Sequence, residues 1–336
     1  MVYKFQYLKS IFPGVLLALI FCLFSQGINN VLAIEIFGTE KSPISTVLIA
    51  ILLGILMGNA FTPRPGMMIG LDFTQQYILK LGIIFLGIRL SFADFIKFGS
   101  VAIPLVIFCI LGVLILIKLL IKKVPISSKM SYLIAIGTSV CGATAIVATA
   151  PVINAKKTEV AYAIANITLF GVIAMLIYPY FAEWYFDNNA LDAGLFLGTS
   201  IHETSQVAAA GLIYDQQFNN PETLDVATVT KLIRNTFLVI LIPLFAFLYN
   251  RGEFKEQKYS ILSIFPYFVL GFIGMIIVRN LGDQFFSIEG DNFYVWSKFI
   301  EYLKILATVF LTMAMAAVGI SINLSELKSM GYKPFI

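Results

Sequence analysis

The sequence predicts an all-α, polytopic membrane protein of about 9–11 membrane segments, with inverted repeats and two broken or re-entrant segments. Three observations carry this. Of 336 residues, 59% are hydrophobic and 12% charged, with a mean hydropathy of +0.89; soluble domains are near half apolar and about a quarter charged. The apolar residues fall in blocks of roughly 20, the length that crosses a hydrocarbon core as a helix. Two segments share an opening tripeptide and a small-residue texture: GTSVCGATAIVATA at 137–150 and GTSIHETSQVAAAG at 198–211. The second holds His202, the only histidine of the chain, followed directly by Glu203.

A first span is expected at about 11–34, after Lys4 and Lys9, with no small-residue cleavage site at its end. A second, at about 45–61, stops at the TPRPG break. The third and fourth cover about 77–92 and 101–120, and Lys122, Lys123 and Lys129 follow. The first GTS segment, 131–154, ends at Lys156 and Lys157, and a sixth block runs from 160 to 181. Acidic loops with Glu183, Asp187 and Asp192, and with Asp215, Glu222 and Asp225, flank the second GTS segment. Later spans are expected at about 226–250, 261–278 and 299–322. The whole reads as one transmembrane domain over 1–336.

Charge sets the expected topology. With the amino terminus inside and every block crossing, Lys156 and Lys157 fall outside and the 183–192 acidic loop inside, against the positive-inside rule. Both misfits vanish if the GTS segments are broken or re-entrant and enter from opposite faces, with the sixth block between them. Non-helical backbone at that depth needs burial or a polar cavity, which glycine and hydroxyl residues suit. The alternative is two ordinary spans with small packing faces.

An internal repeat pairs GIRLSFADFIKFG (87–99) with GISINLSELKSMG (319–331) and, more weakly, GILMGN (54–59) with GMIIVRN (274–280). An odd number of crossings separates each pair, the mark of inverted repeats at about 11–154 and 191–336. The first copy continues into a full span after Gly99, whereas YKPFI follows Gly331. One further terminal helix is therefore expected to complete the second copy.

His202 and Glu203 are the leading candidates for ion coupling, because intramembrane ionisable residues are expensive to bury and imidazole titrates near neutrality. Gln206 would share their face if the segment were helical. Gly137, Thr138, Ser139, Cys141 and Gly142, with Thr199 and Ser200, are candidates for substrate binding, since helix-opening N–H groups and hydroxyls suit an anion. Tight helix packing explains small residues equally well. Lys231 and Arg234, three apart in TKLIRN, could contact an anionic substrate or anchor at the interface. Glu159, Arg89 and Arg279 read as span-end residues. The net charge of +4 gives no sign of nucleic-acid binding. One histidine and three unclustered cysteines make no metal set, and no cofactor is implied. HExxH, GxSxG and Walker patterns are absent, so the chain reads as no enzyme and no direct user of ATP.

At CGATAIVATAPVINAKKTEVAYAIANITLFGVIAMLIYP (141–179), GTSIHETSQVAAAG and TKLIRN, and at AILLGILMGN, LGIIFLGIRLS and MAMAAVGI, the sequence resembles the YeiH-like bacterial inner-membrane proteins, a family described as sulfate exporters. Cys141, Gly142, His202, Glu203, Gln206, Lys231 and Arg234 match its pattern; the short carboxyl end departs from it. That family is similar to the clan of bile-acid/sodium symporters and cation/proton antiporters. The resemblance implies crossed broken helices and a secondary transporter exporting a small anion such as sulfate, coupled to H+ or Na+. Cation/proton antiport, and a non-transporting sensor or partner subunit, stay open, as does a homodimer in the lipid bilayer.

Overall fold

The computed structural model describes residues 2–38, 42, 44–61, 63–121, 127–250, 266–286, 291–323 and 325. Every regular element among them is a helix. In chain order these are α1 (Val2–Val31, continued by a π turn, Leu32–Ile36), α2 (Thr46–Ala60), α3 (Pro65–Phe73), a π turn (Thr74–Ile78), α4 (Leu79–Leu86) and a 3-10 turn (Gly87–Arg89). Then come α5 (Phe92–Leu120), α6 (Ser128–Ser139), α7 (Ala143–Thr149), α8 (Lys157–Phe186), α9 (Ala190–Ser200), α10 (Thr204–Phe218), α11 (Pro221–Thr236), α12 (Leu238–Asn250), α13 (Phe268–Phe285) and α14 (Asp291–Ser321).

Seven stretches among the described residues are long and apolar enough to cross a membrane, and the apolar α2 is shorter. The interrupted pairs α6–α7 and α9–α10 complete the expected set of segments. Outward faces are apolar: Phe108 and Trp184 are 75% and 76% exposed. That pattern belongs to a chain solvated by lipid, and the protein is a multi-pass membrane protein.

Local chemistry explains the helix starts. Ser45, Ser127 and Asn189 accept from the backbone N–H groups of Leu48, Met130 and Leu191, respectively. Pro65 opens α3, where its missing N–H is not needed. The third span therefore begins at Pro65, not near 77, and runs to Arg89 through the π turn. The stretch carrying Asp215, Glu222 and Asp225 is also not a loop. Asp215 lies in α10 and the other two in α11, with only Asn219 and Asn220 between the helices.

Cα packing divides the described residues into two compact units: those within 1–95, 208–225 and 268–325, and those within 96–207 and 226–267. In the first, α4 and α14 run antiparallel. Gln75 donates to Ala317 O and Ser321 Oγ at 3.1 and 2.7 Å, the Phe85 and Phe310 rings are 5.9 Å apart, and Ile88 clusters with Trp296 and Ile300. The span 65–89 ends in the GIR of the first copy and α14 ends in the GIS of the second, so the repeat is inverted.

The packing around them is reciprocal. A Cβ on Gly319 would meet Ile51 O and Gly54 Cα on α2; one on Gly87 would meet Phe272 O and Met275 Cβ on α13. Asn59, ending α2, bonds Ile55 O and Ile322 O, both at 2.8 Å. Asn280, near the end of α13, bonds Ile276 O at 2.8 Å and accepts from Phe92 N at 3.1 Å. Such exchange of partners is what a two-fold relation requires. It shifts the weaker sequence match by one residue: Asn59 and Asn280 correspond, and Gly54 stands with Met275 rather than Gly274. Residues 326–331 of the second copy lie outside the described residues, as do Lys122, Lys123 and the 251–258 cations.

Candidate functional site

The site lies wholly in the second unit. Its first part is the α6–α7 hairpin. Helix α6 ends at Ser139, and Gly142, with φ +66° and ψ −126°, turns the chain into α7. Only glycine adopts that conformation without strain. The chain then returns to its starting side. Lys129 Nζ donates to Asn154 O at 2.7 Å, and Ser127 Oγ donates to Glu159 Oε1 at 2.5 Å. The first GTS segment is thus re-entrant, and Lys156 and Lys157 share an end with Lys129, as the charge pattern required.

The second hairpin approaches from the other end of α8. Phe196 on α9 packs against Tyr178, Phe181 and Phe186, with ring centroids at 5.2, 5.7 and 5.9 Å. Helix α9 stops at Ser200, and residues 201–203 are non-helical before α10 begins. Gly198 lies against Ala227 and Thr230, while Thr204 Oγ1 accepts from Asn235 Nδ2 at 3.0 Å. Gly211 then packs on Leu224, so α10 doubles back along α11. Both segments are interrupted and both fold back.

The two breaks meet on α11. Lys231, fully buried, donates from Nζ to Val140 O at 2.7 Å, Ile201 O at 3.1 Å and His202 O. Arg234, 3% exposed, donates from Nε to Ser139 O at 2.7 Å, from one terminal nitrogen to Thr199 O at 2.6 Å and Ile201 O at 3.3 Å, and from the other to Thr138 O. Helix carboxyl ends carry partial negative charge and orphan carbonyls. One turn of α11 supplies cations to two such ends. Neither residue is an interfacial anchor.

Glu203 reaches across to the first hairpin. A Cβ on Gly142 would come within 2.6 Å of Glu203 Cγ and 3.3 Å of Ile167 Cγ2. The Glu203 carboxylate faces the backbone N–H of Ala143, which opens α7. The remaining candidates divide. Ser139, Thr199 and Ser200 hydroxyls bond carbonyls four residues back in their own helices, at 2.7, 2.7 and 2.5 Å. Gly137 makes room for Ile167 and Ile146 side chains. Cys141 is the residue before the turning glycine and carries a free thiol. His202 Nδ1 is buried without a hydrogen-bond partner. Because His202 and Glu203 precede α10, helical spacing does not seat Gln206 beside them. Its amide fills the space left by Gly171 on α8 and donates to Thr168 O at 3.4 Å.

Sequence reasoning passed over Asn235, whose signal is its place four residues after Lys231 on the same α11 face. It also passed over Ile167 and Gly171, which nothing in an apolar block marks. Among the described residues, no group of three or more His, Cys, Asp or Glu could hold a metal ion. Arg89 forms a separate cluster in the first unit, 2.9 Å from Asp225 and 3.5 Å from Asp215.

The chain matches the family described as Conserved hypothetical protein 698 over residues 13–336. It is 34% identical to a UPF0324 membrane protein of Streptococcus agalactiae over 334 residues, covering 98% of this chain and 92% of the relative. A UPF0324 membrane protein of Fusobacterium nucleatum is 35% identical over 307 residues, covering 89% and 86%; one of Pasteurella multocida is 33% identical over 337 residues, covering 98% and 91%. No solved structure matches the chain. With the family match spanning nearly the whole sequence and relatives at this identity, the chain belongs to the UPF0324 membrane protein family.

Proposed function

We propose that the protein is a secondary transporter that moves a small anion, such as sulfate, by alternating access, with protons or sodium as the coupling ion. The observation that carries this is the charge at the crossing: two buried cations, Lys231 and Arg234, against one carboxylate, Glu203. Excess positive charge in a low-dielectric core is unfavourable alone and attracts an anion. Glu203, His202 and Gln206 are the coupling candidates. Lys231 and Arg234 set the local field through the helix ends they hold, and Cys141, Gly142 and Ala143 lie where an anion would displace the Glu203 carboxylate. The reading includes a bacterial inner-membrane location with the amino terminus inside, supported by the shared end of Lys129, Lys156 and Lys157.

Proteoliposome flux tests it. Labelled sulfate uptake driven by a pH or sodium gradient, and lost in Glu203→Gln, is the expected result. Proton movement driven by sodium or potassium and indifferent to anions would replace this reading with cation/proton antiport. No flux from folded, full-length protein would leave a sensor or partner subunit.

A further inference from the structure

Six backbone carbonyls converge at the crossing: Thr138, Ser139 and Val140 from the first hairpin, and Thr199, Ile201 and His202 from the second. Unwound backbone that offers a ring of neutral oxygens is the ligand chemistry of a small hard cation such as sodium. In this chain the positions are taken. An ammonium has three N–H donors, and all three of Lys231 are engaged. A guanidinium has five, and Arg234 directs bonds from all three of its nitrogens. Both side chains are buried, and among the described residues neither has a carboxylate in salt-bridge contact. They are therefore matched to the carbonyls and not to an acidic partner. Any alkali ion entering would meet two like charges at hydrogen-bonding distance from every ligand it needs.

We propose that Lys231 and Arg234 are resident cations that stand in for coupling sodium, so that the crossing binds no alkali ion while Lys231 is present and becomes an alkali-cation site when Lys231 is removed. The proposal rests on the transporter reading only for its consequence, which is sodium-independent transport. Its core is a statement about binding.

The test uses the purified full-length protein. Thermal unfolding is followed in sodium, lithium and choline chloride at equal ionic strength. The wild type should melt at one temperature in all three. Lys231→Ala should melt lower in choline and regain part of the loss in sodium or lithium, because the uncovered carbonyls then have a ligand to hold. A sodium-specific rise of more than about 2 °C in the wild type would overturn the proposal, and so would a folded Lys231→Ala that ignores the cation. Should Lys231→Ala give no folded protein, the wild-type comparison still decides. Anion flux in proteoliposomes separates the two claims: flux that survives replacement of sodium by choline supports both, and flux that requires sodium overturns this one alone. Absence of flux with a cation-indifferent wild-type melt and a cation-sensitive Lys231→Ala defeats the transporter reading and leaves the binding claim standing.

Discussion

The Glu203 side chain lies over Gly142, the residue that turns the first hairpin. A Cβ at Gly142 would stand 2.6 Å from Glu203 Cγ, on a backbone with φ +66°. Gly142→Ala thus combines backbone strain of about 1–3 kcal/mol with displacement of the carboxylate from the Ala143 N–H. The expected outcome is a lower melting temperature together with loss of flux. A variant that melts like the wild type would show that the crossing is looser than described.

Lys231 and Arg234 should dominate the stability of the second unit. Lys231→Met takes the donor from Val140 O and His202 O and leaves Ile201 O with Arg234 alone, and the expected loss is about 3–5 kcal/mol. Lys129→Ala removes a single exposed bond to Asn154 O and should change stability by less than about 1 kcal/mol. Denaturant titration of the two variants in one detergent gives the comparison. Equal losses would refute the ranking.

Arg89 and Asp225, 2.9 Å apart, form the most enclosed ion pair among the described residues of the first unit. Arg89→Met strands Asp225 with a charge and should destabilise by about 3–5 kcal/mol. The double variant Arg89→Met/Asp225→Leu should recover part of that, because the Asp225 charge is gone and only Asp215, 3.5 Å from Arg89, still loses its contact with the guanidinium. A double-mutant cycle measures the coupling, and additive single losses would mean the pair carries none.

Two glycines separate packing from propensity. At Gly54 a Cβ would stand 2.6 Å from Ala316 O, so Gly54→Ala must push α2 and α14 apart, at about 1–3 kcal/mol. Gly274, in α13, has nothing within 4 Å. Gly274→Ala should be neutral or stabilise by up to about 1 kcal/mol through helix propensity. Melting curves of the pair check this; a destabilised Gly274→Ala would point to an unseen neighbour.

Much of this was legible in the sequence, for identifiable reasons. Apolar blocks have the length of a membrane span, so the helices were visible. Lys156 and Lys157 sit on the wrong face unless the first GTS segment turns back, so its re-entry was visible in charge alone. Asn59 and Asn280 could be matched, but the neighbouring glycines drew the register one residue off. The role of Lys231 was hidden because its partners are backbone carbonyls 91, 30 and 29 residues away, which carry no side-chain signature. Asp215 and Asp225 read as loop residues because QQFNNPETLD, from Gln216 to Asp225, is mostly polar. Their helices form anyway, with Arg89 supplying the charge they need.

Lys231 and Arg234 hold the ends of two hairpins that approach from opposite ends of α8, and they do so from a single helical turn. Neither hairpin can peel away without exposing carbonyls of the other to a cation left with half its partners. Local opening is therefore not available to one hairpin alone. The amides around Ser139 and those around Ile201 should exchange with solvent in one cooperative step, at one free energy, although 62 residues separate them in the chain.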